Sequence, residues 1–560
     1  MAQSQFDFIV VGGGTSGSVV ASRLARTRAQ PSVLLLEAGG ANSGLTHRCP
    51  GESSSFYTSD EAATLNYRYR ADLGDRLKGR ELQYDRGRGL GGTSCINIGL
   101  WDYGSPAEMD EWAALVGDQD WSWAATQERM QKIENVHYVD ENGDERGLKE
   151  QTSKRFGPVD VSQPVSYTPT LRMILEAAKE VNWPVVPDIS HGALGLSVPP
   201  FAVYKGLRIT AASAYLSDLP CNLVVKVESM VARIILDEGI AKGVELGSGQ
   251  KYFASKDVII CAGTFDTPKI LMLSGIGPPE ELAEHGIPVQ VPLSGVGQNL
   301  ADHPSLRLYT RVNVDAIPSD GKPGGDVSTW RDQWLKDQKG PLAMVPNKFT
   351  NGYFKIDNLE HLSGWKQIDD HTKDYLMRPL TSNIEYLATI IPHPSLLHSV
   401  LRISVLLTNA QSRGKVHLKS SDQAAPPRIL LNYLQHPFDL QVMIQGVRKA
   451  MGFAQSAGFA HGSFDGLKSG SDDDIMDYTQ KNLQTSWHAM GTTKMGKPAD
   501  ETAVVGPDLR VFGVQKLRVA DLSVCPVIPS NHTQSTAYLI GEVAAEKLIA
   551  EYSLDLLTTG

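Results

Sequence analysis

The chain has 560 residues, 41% of them hydrophobic and 21% charged, and its 53 Lys and Arg stand against 63 Asp and Glu for a formal net charge of −10. This is an ordinary globular composition, and the length favours two closely joined domains over a single core. With no dense basic run and no window near the ~18 apolar residues of a membrane span, neither nucleic acid nor a membrane is an expected partner.

Residues 1–5 are polar and the first apolar strand begins at about Phe6. That leaves no room for a secretion signal, so a cytoplasmic location is expected, with a secreted mature form as the alternative. Cys49, Cys95, Cys221, Cys261 and Cys525 form an odd, sparse set without metal-ligand spacing. Buried, reduced thiols and no metal site are expected.

Phe8-Ile-Val-Val-Gly12-Gly-Gly14-Thr15-Ser16-Gly17 leads into a helical stretch and then Val33-Leu-Leu-Leu-Glu37. Gly12 permits a tight turn, Gly14 lets the backbone approach a pyrophosphate, and Gly17 lets helix and strand pack closely. Thr15 and Ser16 open the helix, whose first turn directs free N–H groups and a positive dipole end at phosphates. Glu37 follows Gly17 by 20 residues, where a carboxylate can accept from both ribose hydroxyls, which disfavours NADP. The pattern predicts an adenine dinucleotide without saying which one.

Gly87-Arg88-Gly-Leu-Gly91-Gly92-Thr93-Ser-Cys-Ile96-Asn97 is too glycine-rich for a regular element and suits a loop pressed against a phosphate or a flat ring. Residues 222–227, 231–236 and 242–246 read together as an antiparallel meander, and Val258-Ile-Ile-Cys-Ala-Gly263 as a strand buried on both faces of a parallel sheet. In the block 310–480 a turn cluster (320–325), strands at 385–391 and 401–407 and a helix at 439–457 predict a second sheet covering the cofactor. Residues 536–556 read as an amphipathic helix that closes the dinucleotide domain.

Residues 87–110, with Arg88, Gly91-Gly92-Thr93-Ser94, Ile96-Asn97, Trp101, Gly104 and Asp110 in place, resemble the first signature of the glucose–methanol–choline (GMC) oxidoreductases. Gly263-Thr-Phe-Asp-Thr-Pro-Lys-Ile-Leu-Met-Leu-Ser-Gly-Ile-Gly277 resembles the second, and Val296-Gly-Gln-Asn-Leu-Ala-Asp-His303 another recurrent segment. The resemblance covers about Phe6 to Leu548. It implies FAD and an α/β fold, with an FAD-binding Rossmann-like domain from residues 1–155, 206–309 and 510–560. A second, α+β substrate domain on an antiparallel sheet would take 156–205 and 310–509. Glu37 would hold the adenosine ribose and Val231 would meet the adenine. Gly92 to Asn97 would lie along flavin and pyrophosphate, with Asp521 near the ribityl–phosphate and Thr533 and Gln534 at the pyrimidine end. Some members attach FAD through a histidine in the Gly-Gly segment; Ile96 holds that place here, so non-covalent FAD is expected.

Alcohol oxidation removes a hydroxyl proton and a hydride; flavin N5 can take the hydride, and a base of near-neutral pKa must take the proton. His488, in Thr485-Ser-Trp-His-Ala-Met-Gly, and His532, in Pro529-Ser-Asn-His-Thr-Gln, resemble the family's active-site pair. His488 would be the base and His532 would hydrogen-bond the alkoxide, a His–His form closest to the aryl-alcohol oxidase and glucose oxidase branches. Trp487 and, in the second domain, Phe349, Tyr353 and Phe354 are candidates for the substrate wall. No cluster of charges stands out to select a charged alcohol such as choline, and no polar array to select a sugar. An apolar or aromatic primary alcohol is therefore expected, with O2 or a quinone-type compound as electron acceptor and either a monomer or a homodimer as the assembly. A non-redox lyase or cyclase using His488 as general base is the competing reading. Asn531-His-Thr533 spells a glycosylation sequon, but a site packed against flavin cannot carry a glycan.

Overall fold

Short strands that are apolar on both faces need cover on both sides, and a parallel sheet supplies it. The computed structural model describes residues 4–52, 64–146, 156–321, 327–343, 349–392 and 399–555. In it Phe8–Val11, Val33–Leu36, Val258–Ile260 and Leu517–Val519 are buried throughout. With Leu223–Lys226 they form a five-stranded parallel sheet in the order Leu223–Lys226, Val33–Leu36, Phe8–Val11, Val258–Ile260, Leu517–Val519. Leu223–Lys226 therefore lies at the sheet edge and does not join the expected meander. The meander is built instead from Val231–Asp237, Ile240–Leu246 and Lys251–Ala254. A short apolar run shows that a strand forms but not which neighbour it pairs with.

The helix Thr15–Ala25 leaves the end of Phe8–Val11 and packs against the C-terminal helix Gln534–Glu551. That last helix is not amphipathic as expected: nearly every residue from Gln534 to Ala545 is buried. Its polar Glu542 is accommodated by an ion pair with Arg23 at 2.9 Å and a hydrogen bond from the Tyr215 hydroxyl at 3.1 Å. Ser16 donates its hydroxyl to the Ala537 carbonyl at 2.7 Å, locking the first helix to the last.

The second sheet has six antiparallel strands in the order Gln484–Thr485, Pro304–Arg311, Ser399–Leu407, Ile384–Pro392, Thr350–Phe354, Gly195–Ser197. Pro304–Arg311 crosses the 309/310 division expected between domains and pairs wholly within this sheet. Strand alternation splits its side chains between two environments. Phe354, Tyr386 and Val405 face an apolar core shared with the helices Pro169–Glu180 and Pro437–Ser456. Tyr353, Glu385 and Leu406, one residue away, face the other side. Four of the five cysteines are buried, Cys221 is exposed, and all are free thiols. Among the described residues no helix is long and apolar enough to cross a membrane, and no cluster of His, Cys, Asp or Glu is arranged to hold a metal.

The approach of helix to strand is set by backbone. A Cβ on Gly17 would lie 1.9 Å from the Gly12 carbonyl oxygen, a contact that only movement of the helix could relieve. Gly17→Ala is expected to cost about 1–3 kcal/mol or more of stability, read as a lower denaturation midpoint.

Candidate active site

Residues from both sheets line a cavity of about 940 Å³. One end is made by glycine loops. Gly12 has φ +101°, and a Cβ there would sit 2.4 Å from the Cys261 carbonyl oxygen, so the turn requires glycine. Gly92 has φ +52° and its Cα side abuts Gly14, with 2.7 Å from a built Cβ to the Gly14 Cα. The Gly91 N–H donates to the Gly13 carbonyl at 2.8 Å, which holds the two loops together. No side chain caps the helix that starts at Thr15, so its first-turn N–H groups remain for a ligand.

Glu37 also faces this end of the cavity, and its carboxylate does more than the motif implied. It accepts from the N–H groups of Gly13 at 2.8 Å, Gly39 at 2.7 Å and Gly89 at 3.0 Å. A carboxylate has about four acceptor positions, so three are used to join the loops. Val231 lines the cavity beside Met230 and Ser229. Asp521 accepts from the Gly263 N–H at 2.9 Å and the Thr267 hydroxyl at 2.6 Å, which ties the cavity wall to the start of the helix Gly263–Leu273. Asn97 donates its amide to Gln534 Oε1 at 3.0 Å, and Gln534 donates to the Leu100 carbonyl at 2.6 Å. Thr93, Thr533 and Ile96 complete this wall.

The other end carries the histidines. The rings of His488 and His532 lie 4.8 Å apart at 78°. His488 is delivered by a turn in which Trp487 takes φ +61°; the Trp487 N–H donates to Thr485 Oγ1 at 2.7 Å and its carbonyl accepts from Arg86 at 2.6 Å. His488 Nδ1 meets His303 Nδ1 at 2.9 Å, leaving Nε2 for a ligand. The two rings share one proton. Burial drives His303 down to about 4, against the pull of Glu385 and Asp302. With the shared proton on His488 Nδ1, His488 Nε2 carries a lone pair. Burial, then His532, His303 and Arg86, hold His488 well below 6.5.

His532 is the opposite case. Its Nε2 lies 2.7 Å from Glu385 Oε1 and its backbone N–H donates to Asp102 at 2.9 Å. Burial disfavours charge on His532, but Glu385, with Asp102 behind it, outweighs burial and raises the ring above 6.5. Burial pushes Asp102 up to about 6 against the pull of His532 and of Tyr353.

Of the residues singled out in the sequence, Gly17, Arg88, Gly91 and Tyr353 do not line the cavity. Gly17 and Gly91 act behind the glycine wall; Arg88 lies against the Tyr67 ring, 5.7 Å from its centroid. Tyr353 is not substrate wall: its hydroxyl donates to Asp102. Phe354 points into the opposite core, whereas Phe349 and Trp487 do line the cavity. Asn531 is fully buried, its amide donating to Thr536 at 2.9 Å, and so carries no glycan. Sequence reading missed Asp102, Glu385, Arg307 and Arg402, and gave no role to Asp302 and His303 although it quoted their segment. Arg307 and Arg402 both stand on the cavity wall, a pair of charges that did not stand out in the sequence.

The family model described as GMC oxidoreductase matches residues 6–305, and its C-terminal counterpart matches residues 410–541. The chain belongs to the GMC oxidoreductase family. It is 30% identical to the dehydrogenase pkfF of Emericella nidulans, over 97% of this chain and 92% of that one. It is also 30% identical to an oxygen-dependent choline dehydrogenase of Rhizobium meliloti, over 98% of this chain and 96% of that one. The formate oxidase of Aspergillus oryzae superposes with a TM-score of 0.86 at 27% identity, covering 99% of both chains. A fungal aryl-alcohol oxidase shares the fold, with a TM-score of 0.83 at 23% identity over 98% of this chain and 100% of that one. The family's cofactor is FAD, and this cavity fits it: an uncapped helix N-terminus and a side-chain-free glycine cradle lie at one end, and a long chamber runs to the histidines.

Replacing Glu385 by Gln removes the charge that holds the proton on His532. His532 should then titrate at or below 6.5 instead of above it, as read from the ring-carbon NMR shift of histidine-labelled protein.

Proposed function

We propose that the protein oxidises a primary alcohol, aromatic or apolar in its body, to the aldehyde, with His488 as the base. The support is the pair of buried imidazoles in one cavity wall with opposite proton affinities. When bound, FAD supplies the acceptor for the hydride. His488 Nε2, neutral and backed by His303, takes the hydroxyl proton. His532, whose protonated form Glu385 favours, donates to the substrate oxygen as it gains negative charge, a stabilisation enhanced by exclusion of water. Phe349, Leu387, Leu406 and Trp487 offer an apolar surface for the body of the substrate. Gly12, Gly14, Thr15, Ser16, Gly92 and Thr93 would hold the pyrophosphate, Glu37 the ribose, Val231 the adenine, and Asp521, Asn97, Thr533 and Gln534 the rest of the cofactor. Ile96 offers no atom for a covalent link. Electrons would leave to O2 or a quinone-type acceptor.

His488→Ala should retain yellow, FAD-loaded protein while slowing flavin bleaching by a good alcohol about 10²–10⁴-fold; near-normal bleaching would remove the base assignment. The sign of each shift sets the pH profile. Bleaching should persist as pH falls until His488 is protonated, well below 6.5, and decline as pH rises past the elevated value of His532. Acid precipitation of the holoenzyme should leave the FAD in the supernatant, as non-covalent binding requires.

A further inference from the structure

The six-stranded sheet meets the cavity in rungs of cross-strand neighbours. Ser305, Leu406, Glu385 and Tyr353 form one rung, and Glu385 reaches from it to His532. The next rung holds Arg307, Ser404 and Leu387, and the one after it Tyr309, Arg402 and Thr389. Same-face positions along a strand are separated by about 6.5–7 Å, so the two arginines lie roughly 7 and 13 Å along the wall from the level of the histidine pair. The Arg307 guanidinium also lies over the Trp487 ring, 5.9 Å from its centroid, which places it beside the residue that precedes His488.

Both arginines line the cavity and both are half-buried. Among the described residues no carboxylate acts on Arg402, and its Nε is buried without a hydrogen-bond partner; Arg307 likewise forms no ion pair there. The charged or titratable groups acting on Arg402 are Arg307, of like sign, and the Tyr309 phenol. Guanidinium remains cationic in proteins, and two such charges on neighbouring rungs repel. A wall that keeps two uncompensated guanidinium groups facing a chamber is matched by an anion in that chamber. The planar fork of Arg suits a carboxylate in particular.

We propose that Arg307 and Arg402 bind the carboxylate of an alcohol substrate whose hydroxyl end reaches His488 and His532. This rests on the alcohol-oxidation reading and narrows it: an apolar body lies along Leu406, Leu387 and Phe349, with a carboxylate at its far end. Hydroxymethyl-aryl carboxylates and ω-hydroxy fatty acids have that shape. The expectation of a neutral substrate arose because the two cations stand far apart in sequence and meet only through strand register.

The test uses the holoenzyme with 4-(hydroxymethyl)benzoate and an ω-hydroxy fatty acid, each against its methyl ester. At low salt, kcat/KM for at least one acid should exceed that for its ester by about tenfold or more, and the preference should shrink as ionic strength rises. Arg402→Gln and Arg307→Gln should collapse the acid-to-ester ratio, chiefly through KM, and Arg402→Lys should restore part of it. FAD absorbance and the thermal midpoint check that each variant is folded. Binding of 4-methylbenzoate, which has no hydroxyl, is followed through the flavin spectrum and should weaken at least about tenfold in the Gln variants. Acids and esters used equally by the wild type, with 4-methylbenzoate leaving the spectrum unchanged, would overturn the anion site. Arginine-dependent binding of 4-methylbenzoate with no bleaching by any alcohol would instead sink alcohol oxidation and leave the anion site standing.

Discussion

Asp302 holds the histidine end of the cavity together. Its carboxylate is buried and accepts from five donors: the hydroxyls of Tyr84, Tyr433 and Thr485 and the N–H groups of His303 and His488. Those donors come from four distant stretches of chain, and one carboxylate fixes them with respect to each other. It sets the backbone positions of both His303 and His488, and so the line along which their Nδ1 atoms meet. Removing it would leave buried donors unpaired, at a cost of several kcal/mol, and would loosen the hold on His488.

At the opposite end the organising principle is the absence of side chains. Gly12, Gly14, Gly17 and Gly92 let two loops, a helix and a strand approach to backbone contact, while Glu37 draws three of the surrounding N–H groups onto one carboxylate. A polar hub and a glycine cradle do complementary work. The hub supplies direction and the cradle supplies room, and the chamber between them spans the distance from the helix N-terminus to the histidines.

The legibility of the molecule follows the locality of its interactions. The turn at Gly12–Gly17, the carboxylate at Glu37 and the buried strand Val258–Ile260 are written within a few residues of each other, and they could be read from type and spacing. His488 and His532 are far apart, and only the family resemblance brought them together. Glu385, Asp102, Arg307 and Arg402 carry no local signature at all; each acquires its meaning from strand register or from a loop packed across the cavity. The edge strand Leu223–Lys226 and the final helix were misjudged for a related reason. An apolar run shows what a segment buries without showing its neighbour, and the polar side of the last helix is covered because Arg23 and Tyr215 satisfy Glu542. Tyr353 and Phe354 show the same limit at the scale of one residue, since the pleat sends one to Asp102 and the other into the opposite core.

The strand order of the parallel sheet also governs how the chain can be made. Phe8–Val11, near the beginning, is flanked by Val33–Leu36 and Val258–Ile260, and Leu517–Val519 closes the edge; the helix Thr15–Ala25 then waits for Gln534–Glu551. At roughly 5–20 residues per second, the ribosome delivers that last partner about half a minute to two minutes after the first strand emerges. Throughout that interval the glycine loops and apolar strands lack their final cover. Such a topology, rich in contacts between remote segments, folds slowly and exposes sticky surface while it does so. The glycine-loop end of the chamber is thus begun long before the helix that completes it is made.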